Sequence, residues 1–101
     1  MTDEEAIDHA LAMTPLQRKV IGHCSPGRSW GYRRIAEKSG LSYEEVKYVG
    51  HFLQEKKWAH VSPIRHGSEF AGSAIFLNER GEHIRIAAEI VERKTVDAPN
   101  N

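Results

Sequence analysis

Between Tyr32 and Val49 the chain reads Tyr-Arg-Arg-Ile-Ala-Glu-Lys-Ser-Gly-Leu-Ser-Tyr-Glu-Glu-Val-Lys-Tyr-Val, and no other stretch restricts the fold as tightly. Two short amphipathic segments flank a Ser39-Gly40-Leu41-Ser42 turn. Ile35 and Ala36 mark the inward side of the first segment, Tyr32 to Ser39. Gly40 then offers the left-handed conformation that ends a helix without a Cβ penalty. Ser42 and Glu45 form an S-x-x-E capping box directly ahead of Val46, Val49 and Leu53, which recur at i, i+3 and i+7. A second helix is therefore predicted from the turn to about Lys57, locked onto the first by its apolar stripe. Helices joined by so short a turn cross at a large angle, and the second can project from a small domain.

The flanking sequence supplies the rest of a small α+β fold. Thr2, followed by Asp3, Glu4 and Glu5, is an N-cap with acidic first-turn residues that suit the helix dipole, predicting a helix to about Met13. Thr14-Pro15 restarts a helix whose buried stripe is Leu16, Val20 and Ile21, and Ser25-Pro26-Gly27 ends it near His23 or Cys24. Arg28 to Gly31 has room for a brief strand only. Trp58 to Ile64 reads as a strand with Pro63 at a frayed or edge end, and Ser73 to Leu77 as a second strand. The glycine-bearing segment 65–72 between them is expected to be a loop, making a hairpin. Asn78 caps a last helix, with Ile84, Ala87, Ala88 and Val91 on one face and Ile86 and Ile90 on a second apolar stripe.

At 101 residues the chain has room for one domain with one modest core. The expected division is an N-terminal helix over 1–13, a core over 14–77, a C-terminal helix over 78–94 and a flexible tail over 95–101. The N-terminus is acidic where an export signal is basic, and no apolar run approaches the length of a bilayer span, so a cytoplasmic address without membrane contact is expected. Cys24 is a lone cysteine with no motif around it, read as a small residue at a helix end rather than a redox centre.

The formal net charge of zero argues at first against nucleic acid. Its distribution reverses that impression. Residues 1–13 carry four acidic groups and no Lys or Arg, and residues 71–101 carry four basic and five acidic groups. Residues 14–70 carry ten basic and five acidic groups, hence +5, which suggests a basic working surface with acidic ends turned elsewhere.

The order helix, helix, brief strand, helix, helix, hairpin, helix resembles the winged helix-turn-helix domains of bacterial transcription regulators, mostly helical with a small antiparallel β wing. The residues that carry the likeness are Ala36, where a small side chain lets the helices approach, Gly40 in the turn, and Leu41, Val46 and Val49 on the inner face. Leu77-Asn-Glu-Arg-Gly81 resembles the Leu-Thr-Glu-Arg-Gly run that opens the helix after the wing in regulators of the MarR type. The likeness covers about residues 14–85. The wing lacks the Asp-x-Arg signature of MarR proteins, and the chain is shorter than theirs, so ligand-controlled repression does not carry over and any small-molecule effector is left unknown.

The resemblance implies double-stranded DNA as partner, with the helix over 43–57 in the major groove and the wing over 58–77 on the flanking backbone or minor groove. Opposite Val46, Val49 and Leu53 the second helix holds Glu44, Lys47, Tyr48 and His51, flanked by Tyr43 and Gln54. Lys47 and Gln54 suit base edges or phosphates, Glu44 suits either cytosine N4 or the helix dipole, and the tyrosines suit phosphates or thymine methyls. Ser42 can offer its hydroxyl and nearby N–H groups to a phosphate. Arg33, Arg34 and Lys38 belong to the helix that crosses the backbone, and Arg65, His66 and Ser68 to the wing, where Glu69 opposes them. The bland alternative is a solvated polar face.

Six histidines show no ligand spacing, so no metal or cofactor is expected, and no phosphate-cradling loop or nucleophile motif points to an enzyme. The rival reading is a winged-helix adaptor that binds protein instead of DNA. The terminal helices carry more apolar positions than a minimal core needs, which favours a homodimer whose recognition helices meet half-sites about 34 Å apart.

Overall fold

The computed structural model of the chain describes residues 1–97, with side chains through Lys94. Its elements are α1 (Asp3–Ala12), α2 (Pro15–Gly22), β1 (Trp30–Gly31), α3 (Tyr32–Ser39), α4 (Tyr43–Glu55), β2 (Ala59–His66), β3 (Glu69–Leu77) and α5 (Glu79–Asp97). The three strands form one antiparallel sheet in the order β1-β3-β2. This is a winged helix-turn-helix of the α+β class.

Three of the helices begin on reciprocal capping boxes. Thr2 with Glu5, Thr14 with Gln17 and Ser42 with Glu45 each exchange a backbone N–H for a side-chain oxygen in both directions. Two of the four N–H groups that a helix start leaves unpaired are satisfied in this way at each site. Asn78 caps α5 by accepting from the Gly81 N–H at 2.8 Å, and its own amide reaches the Lys57 carbonyl at 2.6 Å. Gly40 ends α3 at φ 75°, the left-handed cap expected of it.

The core is one cluster in which Val20 and Ile21 of α2, Ile35 of α3 and Val46, Val49 and Leu53 of α4 meet Ile75, Leu77 and the Ile84, Ala87, Ala88, Val91 face of α5. Against the other side of α5 lies α1, through Ala6 and Ala10. Tyr32 is fully enclosed, and its ring passes beneath α4 at Gly50, where an added Cβ would stand 2.5 Å from the Tyr32 Oη. The tight approach of α3 and α4 therefore depends on Gly50 as well as on Ala36, which is half-buried.

Four boundaries differ from expectation. α4 stops at Glu55 because Lys57 turns left-handed at φ 63°, so that the Trp58 N–H bonds the Leu53 carbonyl and the Lys57 N–H the Gln54 carbonyl, the paired pattern of a Schellman cap. β2 does not end at Ile64 but continues to His66. It is the edge strand, where a missing N–H costs no ladder bond, and a register shift between Pro63 and Arg65 absorbs the irregularity. The expected loop over 65–72 shrinks to Gly67-Ser68. His66 pairs with Glu69, and Gly67 at φ 65° makes the two-residue hairpin turn that a leading glycine allows. α5 runs through 95–97, which were expected in the tail; the remaining tail residues, 98–101, lie outside the described residues.

Candidate nucleic-acid interface

The outward face of α4 is free of internal obligations. Glu44, Lys47, Tyr48 and His51 are all exposed, Tyr48 to 63%, and among the described residues none of their side chains has a hydrogen bond or ion pair within the chain. They are held outward because Val46, Val49 and Leu53 occupy the opposite face with no exposure at all. A rigid helix presenting one cation, one carboxylate, a phenol and an imidazole can donate and accept at base edges.

Three neighbours of this face have other duties. Tyr43 is half-buried, edge-on to the Tyr32 ring at 5.6 Å between centroids, with its hydroxyl over Gly72 of β3. It braces the helix start against the wing and leaves only part of its surface free. Gln54 lies at the far end of α4, and its side-chain oxygen accepts the Val61 N–H at 2.9 Å, fastening α4 to the unpaired edge of β2. That bond occupies the Gln54 side-chain oxygen and leaves its exposed amide N–H groups to donate. Ser42 is engaged in the cap, where its backbone N–H and then its side chain hold the Glu45 carboxyl below the usual carboxylate range.

On α3, Arg33, Arg34 and Lys38 are exposed and line one open cleft of about 610 Å³ with Glu37, whose other wall is Ile64, His66 and Ala71 of the hairpin. Ile64 and His66, two residues apart, face α3 together; Arg65 is exposed but does not line the cleft. Ser68 sits at the hairpin tip beside Gly67, and Phe70, paired across from Arg65, is 62% exposed. The structure thus brings the α3 cations and one wing histidine into a single cleft and leaves Arg65 and Ser68 outside its lining.

Not all of the central positive charge serves this side. Arg18 is bound by Glu92 and by the carbonyls of Ala10 and Met13, at the junction of α1, α2 and α5. Lys56 lies over the Phe52 and Trp58 rings. Conversely, Arg28 was not among the expected site residues, yet it packs over Trp30 beside Arg34 and Lys38. An arginine two residues before a tryptophan, ahead of a basic helix, was the available signal.

Other chemistry is muted. Burial pushes the Cys24 thiol up to about 12, so it stays protonated at neutral pH and packs as a small apolar residue, its S–H directed at the Val20 carbonyl. Burial likewise raises the Tyr32 phenol to about 12, with Tyr43 adding to the shift. Among the described residues no three His, Cys, Asp or Glu side chains converge as a metal site requires, and no helix is long and apolar enough to cross a membrane.

No family model matches the chain, and no curated protein does. Solved structures do. A MarR family transcription regulator shares 14% identity across 93% of this chain and 60% of its own, with a TM-score of 0.66. A MarR/EmrR family transcriptional regulator from Acinetobacter sp. ADP1 shares 22% identity across 91% of this chain and 66% of its own, at 0.65. BpsR of Bordetella bronchiseptica, whose DNA binding is regulated by 6-hydroxynicotinic acid, shares 15% identity across 96% and 83%, also at 0.65. The chain spans less than two thirds of the first two proteins. At these identities the likeness establishes a MarR-like winged-helix fold.

Proposed function

We propose that this protein is a sequence-specific DNA-binding transcription regulator, with α4 in the major groove, α3 across the phosphate backbone and the β2–β3 wing on the flanking backbone or minor groove. The observation that carries the reading is the unpaired polar face of α4, continuous with an α3 whose cations Arg33, Arg34 and Lys38 have no acidic partner among the described residues. Unneutralised cations beside a hydrogen-bonding helix suit a polyanion that also carries information. Winged helices of this shape that regulate transcription support the same reading.

In this reading a cytoplasmic homodimer forms through the terminal helices. Ile86 and Ile90 of α5 are 45% and 37% exposed and line a shallow apolar groove with Ala6 and Ile7 of α1, surface that a single chain leaves in water. Two copies related by a two-fold axis would cover it and set two α4 helices on successive half-sites.

Fluorescence anisotropy on duplex DNA across a salt series tests the proposal. Lys47→Ala lowers discrimination between duplexes, whereas Arg34→Ala weakens all of them and flattens the salt slope by about 1. Absence of binding at low salt, or a slope near zero, removes the DNA reading. The exposed Tyr48 and Phe70 favour a second reading, a protein-binding adaptor, which a pulldown retaining its partner after nuclease treatment would support.

A further inference from the structure

Three cations surround one indole, and Glu37, which lines the same cleft as two of them, is ion-paired with none. The Arg28 Cζ lies 5.4 Å, the Arg34 Cζ 5.1 Å and the Lys38 Nζ 5.4 Å from the Trp30 ring centroid. Arg28 arrives from the turn before β1; Arg34 and Lys38 stand one turn apart on α3. Trp30 is itself a core residue, only 9% exposed, so the ring is a fixed platform. Among the described residues none of the three cations forms an ion pair. Attraction to the ring face organises such groups but does not neutralise them, and their mutual repulsion persists until an anion arrives.

We infer that the Trp30 cluster is a further phosphate-backbone site of the DNA interface, and that Arg28 is a contact residue beyond the helix-turn-helix and the wing. The inference rests on the DNA-binding reading above. Arg34 and Lys38 also line the cleft that reaches His66, whereas Arg28 does not. The cations therefore run across α3 to the β1 turn, with Glu37 among them and His66 on the wing side of the cleft. That path suits successive phosphates of one strand better than a single compact anion. Stacking against Trp30 limits the freedom of each side chain before DNA binds, so less ordering is left for the encounter.

The test is anisotropy of the full chain on a duplex selected from a randomised pool and on an unrelated duplex of equal length, from low to high salt. Arg28→Ala should lower the salt slope by about 1 on both duplexes, roughly an eightfold loss at 0.1 M salt relative to 1 M, with their affinity ratio unchanged. Arg28→Lys should keep the slope. Arg93→Ala, which removes the same charge from the exposed face of α5, should also keep it. A wild-type slope in Arg28→Ala, or an equal drop in Arg93→Ala, overturns the site while leaving the DNA reading intact. Failure of the wild-type chain to bind either duplex removes the DNA reading first, so the two failures are told apart.

Discussion

Gly81→Ala should be the most damaging methyl addition in this protein. Gly81 sits in the first turn of α5, and a Cβ there would fall well inside contact distance of the Trp58 carbonyl oxygen, 3.0 Å from its carbonyl carbon and 3.1 Å from Leu77 Cδ2. The obstacle is backbone and cannot swing aside. Trp58 accepts the Asn78 N–H at 3.0 Å, and Lys57 accepts the Asn78 side-chain amide at 2.6 Å, so retreat means prising α5 from the start of β2. Overpacking of this kind lies at the upper end of its usual range, about 3 kcal/mol. Losing one of the tethering hydrogen bonds adds about 1 kcal/mol, and replacing glycine in a helix returns about the same. A net loss of about 3 kcal/mol corresponds to a fall in melting temperature on the order of 15 °C for a domain this size. Urea unfolding followed by circular dichroism reads the change directly. Gly22→Ala is the matched control, since nothing lies within 4 Å of a Cβ there, and it should be neutral or slightly stabilising. If Gly81→Ala unfolds within about 0.5 kcal/mol of the wild type, the steric argument is wrong.

Three further outcomes can be checked. Lys57→Gly relieves the left-handed strain at φ 63° and should raise stability by about 1 kcal/mol in the same urea assay; a loss would mean that the Schellman geometry is not what ends α4. The capping bonds of Glu5 and Glu45 lower both carboxyls below their ordinary 4.5, so their support is present above that value and disappears as pH falls through the lowered one. Glu45→Gln, which copies the Thr14–Gln17 box of α2, should keep the cap and reduce the acid sensitivity of unfolding; an unchanged acid profile would count against the cap as its source. Ile86→Glu places a charge on the half-exposed stripe of α5, so sedimentation should show a dimer becoming a folded monomer; a wild-type chain already monomeric at high concentration refutes the proposed interface.

Much of the fold was legible in the sequence, because its signals act between residues at most four positions apart. The Ser42–Glu45 box, the left-handed Gly40, Asn78 ahead of α5 and the Val46, Val49, Leu53 stripe all formed as the pattern required, since capping and amphipathicity are local bonds and local periodicity. The wing is less legible. Gly67 and Gly72 both have the character of loop markers, yet only Gly67 turns the chain, while Gly72 lies inside β3 at φ 109°, where an added Cβ would also stand 3.2 Å from the Tyr43 hydroxyl.

The candidate site divides along the same line. That Glu44, Lys47, Tyr48 and His51 face outward follows from helical rotation alone. That Gln54 is tied to Val61, that Tyr43 leans on Tyr32, and that Arg28 joins Arg34 and Lys38 around Trp30 depends on elements brought together by packing. Composition counts Arg18 with the basic middle of the chain, and only the closure of α2 on α5 removes it to a partnership with Glu92. What this sequence determined by itself was where the helices start and which face of each is apolar, since neighbours in the chain decide those. Which polar side chains remain free to meet a partner was decided only by the tertiary structure, because a hydrogen bond or a cation over a ring depends on groups that the chain keeps far apart until it folds.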